Sequence, residues 1–224
     1  MTGDIRRSRT NETPNQQLRQ LRDVIDRLVR DGEAVARSDG SVHALFPVAI
    51  GPAEGEELRA CVIREAATRT IEIGLGYGLS ALFICDALLA NGDEAARHVV
   101  IDPHQATRFA DCGLQFVEEA GVADLVEHHA EESQIVLPRF LKAGRRFDLA
   151  FVDGTHRFDA VFVDLFYLGR LVRSGGIVFV DDYQLPAVAS AVSFFTTNRE
   201  WTIEAVSAPD EHHQWVVLRS PVTA

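Results

Sequence analysis

Apolar runs that end in acidic residues recur along this chain. T-I-E-I-G-L-G-Y-G-L-S occupies residues 70–80, V-V-I-D-P-H 99–104, F-V-D-G-T-H 151–156 and F-V-D-D-Y 179–183. Asp153, Asp181 and Asp182 are three carboxylates that would repel one another if they converged, unless they were protonated or neutralised. A hard divalent cation resolves such repulsion, and an all-oxygen donor set suits Mg²⁺. A helix cap beside a solvated acid is the plainer alternative. His156 follows Asp153 by three residues. An imidazole with an ordinary pKa near 6.5 can take a proton close to neutrality; the plainer reading is a surface histidine bonded to backbone.

The glycines 74, 76 and 78 sit between a short β-branched run and an apolar stretch from Leu79 to Leu89, which reads as strand, turn and helix. Such a turn brings unpaired N–H groups and a positive helix end toward whatever lies above it. It suits a nucleoside cofactor with an anionic group, although a tight strand–helix turn needs no ligand. A dinucleotide fingerprint would require glycine at 79, where the chain has Leu79. Asp102 lies 24 residues after Gly78 and can accept from two vicinal ribose hydroxyls, or cap a helix; the spacing does not separate an NAD ribose from another nucleoside.

These residues are positioned by an alternating pattern. Strands are expected at 70–73, 98–101, 125–128, 147–152 and 176–180, and helices at 79–90, 105–120, 132–143, 159–172 and 186–197. That alternation implies a parallel sheet covered on both faces, with ligands at the carboxyl ends of its strands. Ala130, Glu131 and Ser133 follow the third strand, and the fourth and fifth strands are neighbours, which draws Asp153 to Asp181 and Asp182. Two strand-like runs at 201–206 and 214–218 read as a terminal hairpin.

Upstream, residues 1–14 read as a disordered leader and 15–50 as a helical cap segment, with 51–224 as the main domain. Leu18, Leu21, Ile25, Leu28 and Val35 recur at helical spacing over 15–35, and 53–64 reads as another helix. The apolar side of the 15–35 helix packs on its own domain or leaves a homodimer open.

With 22 Lys and Arg against 33 Asp and Glu, the chain carries a formal charge of −11, which disfavours the nucleic-acid backbone. Three cysteines without a C-x-x-C argue against a disulfide framework and fit a reducing compartment. There is neither an apolar signal region nor an eighteen-residue apolar run, so no membrane span is expected and the cytoplasm is the default.

The motif E-I-G-L-G-Y-G-L-S resembles motif I of the class I S-adenosylmethionine-dependent methyltransferases, and the terminal hairpin resembles the end of their seven-stranded Rossmann-like α/β fold. From about residue 50 onward the chain is similar to the metal-dependent O-methyltransferases, both the catechol type and the macrocin type that acts on natural-product sugars. The likeness includes G-P-A-E-G-E at 51–56, placed before Glu72 as in the catechol type. It implies that Glu72, Gly74, Gly76, Gly78, Ser80, Asp102, Glu131 and Asp153 meet the cofactor. It also implies that Asp153, Asp181 and Asp182 hold the metal and that His156 is the base. The catechol type carries an amide where this chain has Asp182, which argues against a catechol. The resulting expectation is methyl transfer to a hydroxyl of a small molecule, a sugar or polyketide among the candidates. The rivals are a metal-independent methyltransferase, an NAD-dependent dehydrogenase and a non-catalytic binding module.

Overall fold

A computed structural model describes residues 14–208 and 213–222. In chain order the elements are α1 (Pro14–Asp31), β1 (Glu33–Val35), β2 (Val42–Ala44), α2 (Pro52–Arg64), β3 (Arg69–Ile73), α3 (Leu79–Asn91), β4 (Arg97–Ile101), α4 (Gln105–Arg108), α5 (Cys112–Glu119), β5 (Val126–His129), α6 (Ser133–Lys142), β6 (Phe147–Val152), α7 (Phe158–Leu171), β7 (Val172–Val180), α8 (Pro186–Asn198), β8 (Thr202–Val206) and β9 (Val216–Arg219).

Seven strands form one sheet in the order β5-β4-β3-β6-β7-β9-β8. Five are parallel, and β9 runs antiparallel to both β7 and β8. The chain winds outward through β3, β4 and β5, then returns to the other side of β3 with β6. Strand order therefore reverses at β3, which opens a crevice at the carboxyl ends of β3, β4 and β6. The β-branched pattern drives the layering. Ile71, Ile73, Val99 and Ile101 share one buried cluster with side chains of α6, α7 and α8. On the other face α3 is buried from Leu79 to Leu88, which explains why it lacks an amphipathic stripe.

The expected α/β alternation and terminal hairpin are present, with edges shifted by a few residues at most strands. Three differences have local causes. The first helix stops at Asp31 because Gly32 takes a left-handed φ of 66°. The chain then makes the ribbon β1–β2 instead of continuing helically to Val35. The single helix expected over 105–120 is broken between α4 and α5, where Ala110 and Asp111 both have positive φ. The break seats Phe109 edge-on against Tyr77, at a centroid distance of 5.3 Å. Finally β7 begins at Val172, directly after α7, and not at Gly176.

Leu21, Val24, Ile25 and Leu28 of α1 are buried in the domain's own core. The apolar side that left a homodimer open is thus covered within the chain. The leader expected over 1–14 lies outside the described residues except for Pro14. Cys61, Cys85 and Cys112 are buried free thiols, and no described helix is long and apolar enough to cross a membrane.

Candidate active site

A cavity of about 630 Å³ occupies the crevice. That is within the range of small-molecule sites. Gly74, Gly76, Gly78, Ser80, Asp102, Asp153 and His156 all line it, together with residues 48–50 before α2. The glycines serve different ends. A Cβ on Gly74 would stand 2.1 Å from the Asp153 carbonyl oxygen, so this glycine lets β3 and β6 end side by side. A Cβ on Gly76 would meet nothing within 4 Å. Gly76 therefore leaves room for a ligand, whereas Gly74 leaves room for the neighbouring strand.

Asp102 is 3% exposed and holds this loop in shape. Its Oδ2 accepts from the backbone N–H groups of Leu75 and Gly76 at 3.1 and 3.0 Å and from the Gln105 amide at 2.8 Å. Its Oδ1 accepts from the His104 N–H at 2.7 Å. Four donors fill the usual acceptor capacity of a carboxylate. Here the expected ribose acid is first a brace for the glycine turn; ribose hydroxyls would have to share its oxygens.

Glu72 does not reach the cavity. It is fully buried beneath the loop, where its carboxylate accepts from the Ser80 hydroxyl and faces His98 Nε2 at 2.9 Å. His98 Nδ1 in turn lies 2.9 Å from the Thr70 hydroxyl. Strand alternation explains this, because Thr70 and Glu72 point to the same face and His98 pairs in register with Thr70. Glu72 thus braces the loop and the start of α3 from beneath, and it is not among the residues that line the cavity where contact with the cofactor was expected. His98 went unmarked in the sequence because nothing local reveals its partner. Glu131 is also displaced from its expected role. It pairs with Arg139 on the surface, while Glu132, Ser133 and Gln134 line the cavity. The loop after β5 turns one residue later than the motif suggested.

At the ends of β6 and β7 the acids do converge. Ligand atoms of Asp153, His156 and Asp182 lie within 4.8 Å of one another, as do those of Asp181, Asp182 and His213. Among the described residues the expected triad therefore appears as two overlapping groups that share Asp182. Asp182 itself has a φ of 54°, a conformation that Asp tolerates better than most residues. Its N–H donates to Asp181 Oδ1 at 2.6 Å. The His156 ring bridges the acids, with Nδ1 2.9 Å from Asp182 and Nε2 3.3 Å from Asp153.

The charges in this corner are unbalanced. Burial pushes Asp153 up to about 6 and Asp181 up to about 7, and neighbouring carboxylates add to both shifts. Burial acts the same way on Asp182, but the bond and charge of His156, the bond from Gln184 and the charge of His213 together outweigh it and hold that acid below its ordinary value. Hydrogen bonds to Asp153 and Asp182 push His156 up to about 10. Both ring nitrogens face carboxylates, which favours the protonated imidazole as long as those carboxylates stay charged.

Two more acids went unmarked as site residues. Glu54 in α2 is 4% exposed, and burial followed by the charges of Asp181 and Asp153 pushes it up to about 10. Asp164 in α7 lines the cavity at 2% exposure, and burial pushes it up to about 7. Both belong to helices, where an acid normally reads as solvated surface.

The methyltransferase domain family matches residues 71–183, about half of the chain, from the glycine strand through the second acid pair. The chain belongs to this family. The chain is 30% identical over 145 residues to tricin synthase 2 of Oryza sativa subsp. japonica. That alignment covers 63% of this chain and 47% of the rice protein, so the chain spans about half the length of the curated relative it matches. Two solved structures share the fold. One is the O-methyltransferase TomG of Streptomyces achromogenes, involved in tomaymycin synthesis and solved with S-adenosylmethionine; its TM-score is 0.68 at 21% identity, covering 96% of this chain and 92% of TomG. The other is an O-methyltransferase of Bacillus cereus in complex with S-adenosylhomocysteine, with a TM-score of 0.67 at 16% identity and 90% coverage of both chains. Membership of the methyltransferase domain family removes the dehydrogenase alternative.

Proposed function

We propose that this protein transfers a methyl group from S-adenosylmethionine to a hydroxyl of a small molecule, with a divalent cation, Mg²⁺, at the acid cluster. One observation carries the reading. A single cavity has the glycine loop as one wall and Asp153 and His156 on the other side, and ligand atoms of those two residues stand within 4.8 Å of Asp182. The relatives named as O-methyltransferases support the same class of acceptor.

The glycine loop and Ser80 would hold the methionyl portion of the cofactor, and the loop after β5 its base. Asp153, Asp181 and Asp182 would hold the cation through oxygen donors, which suits Mg²⁺. When bound, the cofactor supplies an activated methyl on a sulfonium, and the cation lowers the pKa of an acceptor hydroxyl. The chain then has to align that hydroxyl and accept its proton. His156 is the residue placed for the proton. It can act as a base only after the negative charge of Asp153 and Asp182 is neutralised, because those acids are what keep it protonated. Val48, Ala49 and Ile50 add apolar lining to a cavity of about 630 Å³, which suits a small acceptor such as a sugar or polyketide hydroxyl.

The test is calorimetric titration of S-adenosylmethionine, with NAD⁺ as control, in parallel runs with Mg²⁺ and with EDTA. Methylation of hydroxylated acceptors is then assayed with the Asp181→Ala/Asp182→Ala protein. Binding of S-adenosylmethionine with Mg²⁺-dependent turnover that this variant loses is the expected result. Turnover that survives both EDTA and the double substitution would replace the metal with the metal-independent reading.

A further inference from the structure

We infer that Glu54 is a fourth carboxylate of the cation site, brought to it from α2. The inference rests on the metal-dependent reading above. It starts from an acid with no ordinary occupation. Glu54 is the third residue of α2, where a glutamate commonly reaches back to the N-cap in a capping box. It does not do so here: the N-cap is Gly51, with no side-chain cap bond. Both Glu54 carboxylate oxygens are fully buried and accept no hydrogen bond. A buried polar group in that state is costly, and an unpaired charge more so. The charged groups that act on it are Asp181 foremost, then Asp153 and Asp182. All three are carboxyl groups, so any hydrogen bond Glu54 shares with Asp181 requires a proton held between the two acids.

The fold holds Glu54 there firmly. Gly55 follows it, and a Cβ at that position would stand 2.3 Å from the Phe83 ring of α3. The missing side chain lets α2 lie close on α3, which carries the first turn of α2 toward the strand ends. Arg59, one turn further along α2, is tied to Asp86 of α3. The position of the Glu54 carboxyl is therefore set by helix packing rather than by a flexible loop. A hard cation shared with Asp153, Asp181 and Asp182 would give these oxygens the partner they lack, because carboxylate oxygens are the donors such ions take.

The experiment uses Mn²⁺, a spin-active substitute for Mg²⁺. Free Mn²⁺ is followed by electron paramagnetic resonance during titration of the wild-type protein, Glu54→Gln, Glu54→Asp and Asp181→Ala/Asp182→Ala. S-adenosylhomocysteine affinity, measured by calorimetry, serves as the control for folding. The expected result is about tenfold weaker Mn²⁺ binding in Glu54→Gln, partial recovery in Glu54→Asp, and S-adenosylhomocysteine affinity within about twofold of wild type in both. Wild-type Mn²⁺ affinity in Glu54→Gln, with binding lost in the double aspartate variant, would overturn the role of Glu54 and leave the metal reading intact. A wild-type protein that holds no Mn²⁺ would overturn both. Should Glu54→Gln lose S-adenosylhomocysteine binding, Glu54→Asp decides alone: weakened Mn²⁺ binding supports the role and unchanged binding removes it.

Discussion

Two buried acid sites, one on α3 and one at the ends of β6 and β7, are alike in depth, yet their charges are handled in opposite ways. Asp86 is 1% exposed in the middle of α3. Arg22 of α1 reaches it through Nε at 2.6 Å and Nη2 at 3.2 Å, and Arg59 of α2 closes the other side. Burial alone would raise its pKa, but the two arginines outweigh burial and lower it. The cluster of Glu54, Asp153, Asp181 and Asp182 has no arginine. Burial dominates there, and three of the four acids are pushed up. The Asp86 group is complete within the chain and joins three helices. The cluster at the strand ends has no such counter-ions of its own among the arginines, which is what the proposed cation would supply. Buried ion groups that close on themselves therefore indicate architecture, and those that do not indicate a ligand.

The largest effect expected from this contrast is at the closed site. Arg22→Ala combined with Arg59→Ala leaves Asp86 buried without a counter-ion and should cost about 3–5 kcal/mol of unfolding free energy, read by urea denaturation. A loss below about 1 kcal/mol would mean that Asp86 reaches water and that the contrast is false.

A smaller effect of opposite sign is expected at Asp164, a cavity acid without an arginine. Its pKa of about 7 in the fold lies above the ordinary value near 3.9. Its ionisation therefore costs stability increasingly as pH rises from about 4 through about 7. Asp164→Asn removes that cost and should stabilise the ligand-free protein by about 2 kcal/mol at pH 8, with no gain at pH 4. Thermal unfolding at the two pH values checks it. Destabilisation at pH 8 would place Asp164 with Asp86 as a satisfied structural acid.

The smallest effect belongs to an acid that is satisfied but solvated. Hydrogen bonds from Arg145 hold Glu127 down at about 2, against burial, with His129 assisting. The stability it provides is present above its ordinary pKa near 4.3 and is lost as pH falls through about 2. Its side chain is 43% exposed, so solvent screens the pair. Glu127→Gln should cost only about 0.5–1 kcal/mol at pH 7, narrowing as pH falls below about 4, in urea unfolding. A cost equal to that of the double arginine variant would show that burial is not what separates these sites.

The legible parts of this protein are those written in local pattern. Short apolar runs mark β3, β4, β6 and β7, the three glycines mark the turn after β3, and the acids at strand ends mark the crevice, because strand pattern and backbone freedom act within a few residues. Asp153 and Asp182 could be paired in advance because βα repeats place successive carboxyl ends at one edge. The break between α4 and α5 was not legible, since the 105–120 stretch has helical pattern throughout and Phe109 finds Tyr77 only in the folded chain. Nor was the one-residue phase that turns Glu131 outward and Glu132 inward.

Most of all, the sequence could name the acids but not their charge states. Asp102 is braced by backbone groups about 26 residues upstream. His156 is pushed toward its protonated form by Asp153 close by and by Asp182 from another strand, and Glu54 faces the charge of Asp181 across more than half the chain. Electrostatic energy depends on distance through space and on burial, and sequence separation measures neither. Element types and strand ends follow from the order of residues; which buried acids meet arginines, and which do not, follows only from the packing of α1, α2 and the sheet around them.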